Sequence, residues 1–238
     1  MKKNILFGMM FLAAGSLLAA DASPKADVKS AAAALGGQAN YSWHTAVESP
    51  GGGGGRFNGP TDGKTEKGGY TWISMTRGDT TTLAVLQGTN GAVNTPDNGW
   101  QSLKEAAADN GGGMMFLART LQNYKTPDLQ AADLAAAAKE LKAGDNGITG
   151  DLTDDGAKAQ LTMGRPSTGD NAVTVANPKG SVTFWLTDGK LVKYSFHVTG
   201  TVSFNGNDRD VDRTTTVEIK DVGTTKIEVP DDAKKKLQ

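Results

Sequence analysis

The chain has 238 residues, with 25 Lys and Arg against 26 Asp and Glu, a net charge of −1 and no cysteine. Without cysteine there is no disulfide framework, no thiolate metal site, no cysteine nucleophile and no acylated lipoprotein cysteine. A charge so near balance argues against a nucleic-acid partner and against a polybasic membrane dock.

Lys2 and Lys3, an apolar run from Ile5 to Leu18, and the small-residue stretch Ala20-Asp21-Ala22 are the three regions of a secretory signal peptide in order. Gly8, Gly15 and Ser16 interrupt the apolar run, which is short for a membrane span. Residues 1–22 are therefore expected to be cleaved. Residues 23–238 then form a single domain, large enough to bury about 70% of its unfolded surface, working in the periplasm or the medium with no permanent membrane anchor.

The mature chain opens with an alanine-rich helix, Ser23 to Leu35, ended by Gly36-Gly37. From Asn40 to Glu48 the period becomes two, with Tyr41, Trp43, Thr45 and Val47 on one face of a first strand. Gly51 to Gly55 is a flexible loop that lacks the lysine and hydroxyl residues of a phosphate cradle. Tyr70 to Arg77 and Thr80 to Gln87 form a hairpin at Gly78-Asp79, and Asn90-Gly91 is expected to turn the chain into a further strand, Ala92 to Thr95. The middle reads as helical. Trp100, Leu103 and Ala107 mark one segment, and Met114, Leu117, Leu121 and Tyr124 a second after the Gly111 to Gly113 break. Thr126-Pro127-Asp128 opens a third helix expected to run past Leu141 to Gly144, and Thr153 opens a fourth, through Leu161. Asn171 to Asn177 reads as loop or edge strand.

Strands then return. Val182, Phe184 and Leu186 alternate, Asp188-Gly189 turns, and Leu191 to Thr199 runs back, continuing past a bend at Gly200 to Phe204. Thr214 to Lys220 and Lys226 to Val229 are expected to make a last hairpin, followed by a solvated tail at Lys234 to Lys236. The sum is an α+β domain of about eight or nine antiparallel strands. Its sheet is strongly twisted into a half-barrel, with the inserted helical region packed on the concave face.

This order of elements resembles the LolA/LolB and LppX/LprG superfamily of envelope carriers. The resemblance rests on ITGDLTDDGAKAQL from Ile148 to Leu161, GSVTFWLTDGKLVKYSF from Gly180 to Phe196, and Val217 to Lys236. It implies an eleven-stranded half-barrel closed by helices around an apolar cavity for acyl chains of lipoproteins or glycolipids. The missing acylated cysteine makes the chain similar to the soluble carrier rather than to the anchored lipoproteins. No functional residue carries over.

The residues themselves give a matching site. An inner sheet face bearing Trp43, Trp72, Phe184 or Trp185, Tyr194 and Phe196, lidded by helices bearing Phe116, Leu117 and Leu121, makes an apolar ligand-binding cleft. An acyl chain there gains about 0.8 kcal/mol per buried methylene. The function expected is carriage of a lipid or lipoprotein acyl chain within the cell envelope. The alternative is a non-enzymatic surface protein with a filled core that contacts another envelope protein.

No catalytic residue, cofactor or metal is expected. His44 and His197 stand alone in sequence, and no nucleophile elbow or zinc-helix motif occurs. Asp208, Asp210 and Asp212 alternate like calcium ligands. Arg213 and Ile219 occupy the positions where a calcium loop needs glycine and glutamate, so a solvated hairpin tip is expected instead. Arg77-Gly78-Asp79 is ordinary turn chemistry.

Overall fold

A computed structural model describes residues 23–50, 61–108, 113–162 and 172–237. The signal segment, the Gly51 to Gly55 loop, Gly111 and Gly112, Gly164 to Pro166, and Asn171 lie outside the described residues.

Helix α1 (Pro24–Gly36) begins as expected: the Ser23 hydroxyl accepts from the Ala26 N–H and a proline fills the first turn. Strand β1 (Asn40–Glu48) has the predicted bounds. Strand β2 (Thr61–Glu66) is not among the predicted strands, because TDGKTE holds no apolar residue and only its neighbours make it a strand. Strands β3 (Thr71–Arg77) and β4 (Thr80–Gln87) form the expected hairpin. In β5 (Asn90–Thr95) the register pairs Asn90 with Gln87, so the tight turn is Gly88-Thr89 and the predicted Asn90-Gly91 turn lies inside the strand.

Trp100, expected on a helix, sits in β6 (Gly99–Ser102), paired with Asn94. Helix α2 (Leu103–Ala108) starts just after it with a reciprocal capping box. The Ser102 hydroxyl accepts from the Glu105 N–H, while the Glu105 carboxylate accepts from the Ser102 N–H at 2.7 Å. Helices α3 (Gly113–Gln122) and α4 (Pro127–Ala137) follow. Helix α4 ends short of the prediction because Ala138 turns extended and bridges Leu152, leaving Leu141 outside. The chain instead makes a small hairpin, β7 (Lys142–Gly144) and β8 (Gly147–Asp151).

Helix α5 (Asp154–Thr162) leads to three long strands, β9 (Thr174–Thr187), β10 (Lys190–Phe204) and β11 (Asn207–Lys220). Both hairpins between them turn through left-handed pairs, Asp188-Gly189 at φ 50° and 72° and Asn205-Gly206 at φ 50° and 73°. The expected bend shows as a register shift between Thr199 and Thr201. The expected last hairpin does not form. Strand β11 pairs with β1, Lys226 to Val229 is not a strand, and the lysine tail forms a short helix, α6 (Asp231–Lys236).

All neighbouring strands are antiparallel in one 11-stranded sheet, ordered β6-β5-β4-β3-β2-β1-β11-β10-β9-β8-β7. The sheet is open, with β6 and β7 at its edges and the chain's first strand in the middle. One buried cluster joins inward residues of both ends, Ile73 and Val93 on one side and Phe184 and Tyr194 on the other, with residues of α1 to α5. A sheet can share a core in this way only by curling around its helices, so the architecture is an α+β half-barrel. A smaller outer cluster, Val85, Ala92, Ala233 and Leu237, docks α6 on the opposite face. Among the described residues no helix is long and apolar enough to cross a membrane.

Candidate functional site: the concave face

Strand pairing builds the inner face row by row. Ile219, Trp43, Gly63, Ile73, Ala84 and Val93 lie opposite one another across β11, β1, β2, β3, β4 and β5. Ile148, Phe184, Tyr194 and Val217 do so across β8 to β11. The first row sets Gly63 and Ala84 among larger side chains, and the second has no residue smaller than valine.

The helices cover these rows differently. Helices α1, α4 and α5 bring Val28, Ala31, Ala32, Ala131, Leu134 and Ala157 onto the β9 and β10 side, where Phe184 and Tyr194 are both 0% exposed. Their alanines let the helices approach closely and seal that side. Helices α2 and α3 lie over β5 and β6. There Leu117 and Leu121 are buried, while Met75, Leu86, Met114 and Phe116 stay half-buried.

Trp43 stands at the boundary. Its ring lies against Gly63, where a Cβ would overlap the indole, so only glycine fits beneath it. It stacks on Tyr124, at the α3–α4 junction, with centroids 6.3 Å apart and planes 21° apart, and it touches Tyr41 at 5.8 Å. Trp43 is 2% exposed, and its indole N–H faces the Tyr124 hydroxyl without closing a hydrogen bond.

Hydrogen bonds tie the first turn of α4 to the sheet along the same line. The Tyr41 hydroxyl donates to Asp128 Oδ1 at 2.6 Å, and the Tyr194 hydroxyl donates to Gln130 Oε1 at 2.6 Å. The other Asp128 oxygen rests against Gly36, where a Cβ would overlap it. Burial pushes the Tyr41 hydroxyl well above the ordinary tyrosine range, with the Asp128 hydrogen bond and charge adding to the effect. Tyr124 is half-buried as a residue, but its hydroxyl is enclosed. Burial raises its pKa, the Trp43 indole opposes this, and the Asp128 charge adds to it. Tyr194 is raised by burial first, then by Tyr124, Tyr41 and Asp128. All three hydroxyls therefore stay protonated, and those of Tyr41 and Tyr194 donate to Asp128 and Gln130.

Of the eight residues expected to line a cleft, Trp43, Leu117, Leu121, Phe184, Tyr194 and Phe196 share the inner cluster. Phe116 is on α3, half-buried. Trp72 is apart from them. Strand alternation gives the inward place to Ile73, and Trp72 packs in the outer cluster with the Lys64 ammonium 5.7 Å from its ring. Trp185, weighed against Phe184, faces outward under Lys193 at 4.7 Å. The expectation missed Tyr41, Asp128, Gln130 and Gly63. Asp128 reads in sequence only as the early acid of a helix, and Gly63 sits in a segment with no strand signal.

The histidines each find a carboxylate across the sheet, His44 with Asp62 at 2.7 Å and His197 with Asp212 at 2.9 Å, all on the outer face. Asp208 and Asp210 accept from Ser203 and Thr201. Among the described residues no three His, Cys, Asp or Glu are grouped to hold a metal.

No family model matches the chain, and no curated protein matches it. Among solved structures, the chain is similar to lipoprotein LppX of Mycobacterium tuberculosis, at 12% identity, covering 86% of this chain and 97% of that one, with a TM-score of 0.45. It is similar to LprF from Mycobacterium bovis at 11% identity, covering 88% and 97%, with a TM-score of 0.46. It is also similar to a LolA superfamily protein from Nitrosomonas europaea at 10% identity, covering 88% and 96%, with a TM-score of 0.30.

Proposed function

We propose that this protein is an exported, non-enzymatic carrier that holds an apolar ligand, a lipid or a lipoprotein acyl chain, between the concave sheet face and its helices. The observation that carries the proposal is the half-buried apolar group on the β2–β5 side, Met75 on β3 with Met114 and Phe116 on α3. Met75 and Met114 pack against the buried cluster while staying partly exposed. Unbranched methionine side chains adapt to irregular apolar ligands. Export rests on the basic, apolar and small-residue regions of residues 1–22, which make the periplasm or the medium the place of work.

A second reading has its own support. The complete burial of Phe184, Tyr194 and Leu134 favours a filled core, in which case the sheet serves contact with another envelope protein. Native mass spectrometry of protein purified from its own envelope, with titration of a fluorescent fatty-acid probe, separates the two. The carrier reading expects co-purifying lipid and saturable probe binding. Absence of both leaves the interaction protein.

A further inference from the structure

The chain beyond β11 runs back across the outer face of the sheet. The Asp221 carboxylate accepts from the Ser42 hydroxyl at 2.7 Å, and the Gly223 N–H donates to the Asn40 carbonyl at 2.8 Å, both partners lying on β1. Farther on, the Lys226 carbonyl accepts from Lys64 of β2, and α6 then settles on β5 and β6. Ala233 and Leu237 are buried there with Val85 and Ala92, beside the half-buried Trp72 and Trp100. Two contacts finish the strap. Asn90 Nδ2 donates to the Leu237 carbonyl at 2.8 Å, and Lys236 Nζ meets both Glu105 oxygens, at 2.9 and 3.0 Å. Glu105 belongs to α2, on the inner face, so α6 and α2 close on edge strand β6 from either side.

Little else holds what they close on. Strand β6 has four residues and, among the described residues, only β5 as a neighbour in the sheet. Helix α2 has six residues, well short of the roughly 12–15 that a helix needs to stand alone in water. Its first residue, Leu103, fills the hollow that Gly91 leaves in the inner face, where a Cβ on the glycine would lie 2.5 Å from the leucine Cδ1.

We propose that α6 is a clasp worked from the outer face. Docked, it holds residues 99–108 shut. When it lets go, β6 and α2 leave β5 together, Leu103 comes out of the Gly91 hollow, and the concave face opens at this edge alone. Chain ends and short elements open at lower free energy than core strands, which makes this edge the unit that opens first. Phe184 and Tyr194, fully buried with α1 and α4 over them, stay closed. The clasp serves equally a carrier and a protein with a filled core.

The test is hydrogen–deuterium exchange, read by mass spectrometry, on the mature protein, on a chain ending at Pro230 and on Lys236→Ala. Residues 99–108 should exchange about tenfold faster in the shortened chain and several-fold faster in Lys236→Ala, while residues 182–198 keep their rates. A second measurement uses the absence of cysteine. Ala106→Cys puts a single thiol beneath α2, and Ala135→Cys puts one in the sealed side; both alanines are 0% exposed. Adding Lys236→Ala should speed thiol labelling several-fold at position 106 and leave position 135 unchanged. Unchanged exchange over residues 99–108 overturns the clasp. So does equal acceleration over residues 182–198 or at position 135, which would make α6 a general stabiliser of the fold.

Discussion

The two halves of the half-barrel fill their interiors by opposite means. On the β9 and β10 side the sheet supplies the volume through Phe184, Tyr194 and Phe196, and the helices supply small residues, Ala31, Ala32, Ala131 and Ala135. On the β2–β5 side the sheet supplies the small residues, Gly63, Ala84 and Gly91, and the helix supplies Met114, Leu117 and Leu121. Large rings on a sheet hold one place, because neighbouring strands and close-lying helices leave them no other rotamer. Unbranched methionine side chains such as Met75 and Met114, only half-buried, have rotamers open to them that those rings lack. The same antiparallel sheet therefore serves as a rigid frame on one side and as an adaptable bed on the other.

The largest expected effect tests the rigid side. Phe184→Ala should cost about 3–5 kcal/mol, because a sealed site cannot collapse around the void. Met75→Ala should cost roughly 1–2 kcal/mol, because the residue is already half-buried. Chemical denaturation of both variants measures the contrast, and equal losses would mean that the two sides are equally tight.

A smaller effect is expected at the boundary. Gly63→Ala should lose about 1–3 kcal/mol by driving a Cβ into the Trp43 indole. It should also shift Trp43 emission in a protein whose other three tryptophans are replaced. An unmoved spectrum would show that the indole does not lean on this glycine.

The smallest effect concerns the latch that joins the two faces of the β2–β6 half. Lys236 of α6, on the outer face, reaches around edge strand β6 to Glu105 at 2.9 Å, the same carboxylate that caps α2. Its hydrogen bond from Lys236, followed by those from Ser102, lowers the Glu105 carboxyl to about 2. A depressed carboxylate stabilises the fold above its unfolded pKa of about 4.5, and that contribution fades as pH falls toward about 2. Lys236→Ala should raise the Glu105 titration midpoint in an NMR pH titration and narrow that window from below. A midpoint that stays put would assign the shift to Ser102 alone.

Much of the local structure was legible in the chain. Ser23-Pro24 announces α1, the Asp188-Gly189 turn announces the β9–β10 hairpin, and strict alternation announces β1. What was not legible depended on partners distant in sequence. Strand β2 has no apolar residue and exists because β1 and β3 flank it. Leu141 continues a helical pattern that Ala138 abandons to pair with Leu152. Thr214 to Lys220 and Lys226 to Val229 read as a hairpin, yet β11 finds its other partner in β1, far away in sequence, and the residues beyond cross the sheet to carry α6.

The candidate site divides the same way. Seven of the eight aromatic and apolar residues expected to line a cleft lie on the inner face of the sheet or on α3. Trp72 does not, because an isolated alternating strand has two equivalent faces until the rest of the fold chooses one. By itself the sequence determined the element types, the turns and the apolar alternation, all of which are local consequences of backbone sterics and side-chain period. Only the tertiary structure decided which face is inside, that Trp43 lies at the midline over Gly63, and that Asp128 meets Tyr41. Those facts depend on strand order and register, which arise when the whole chain buries its apolar surface at once.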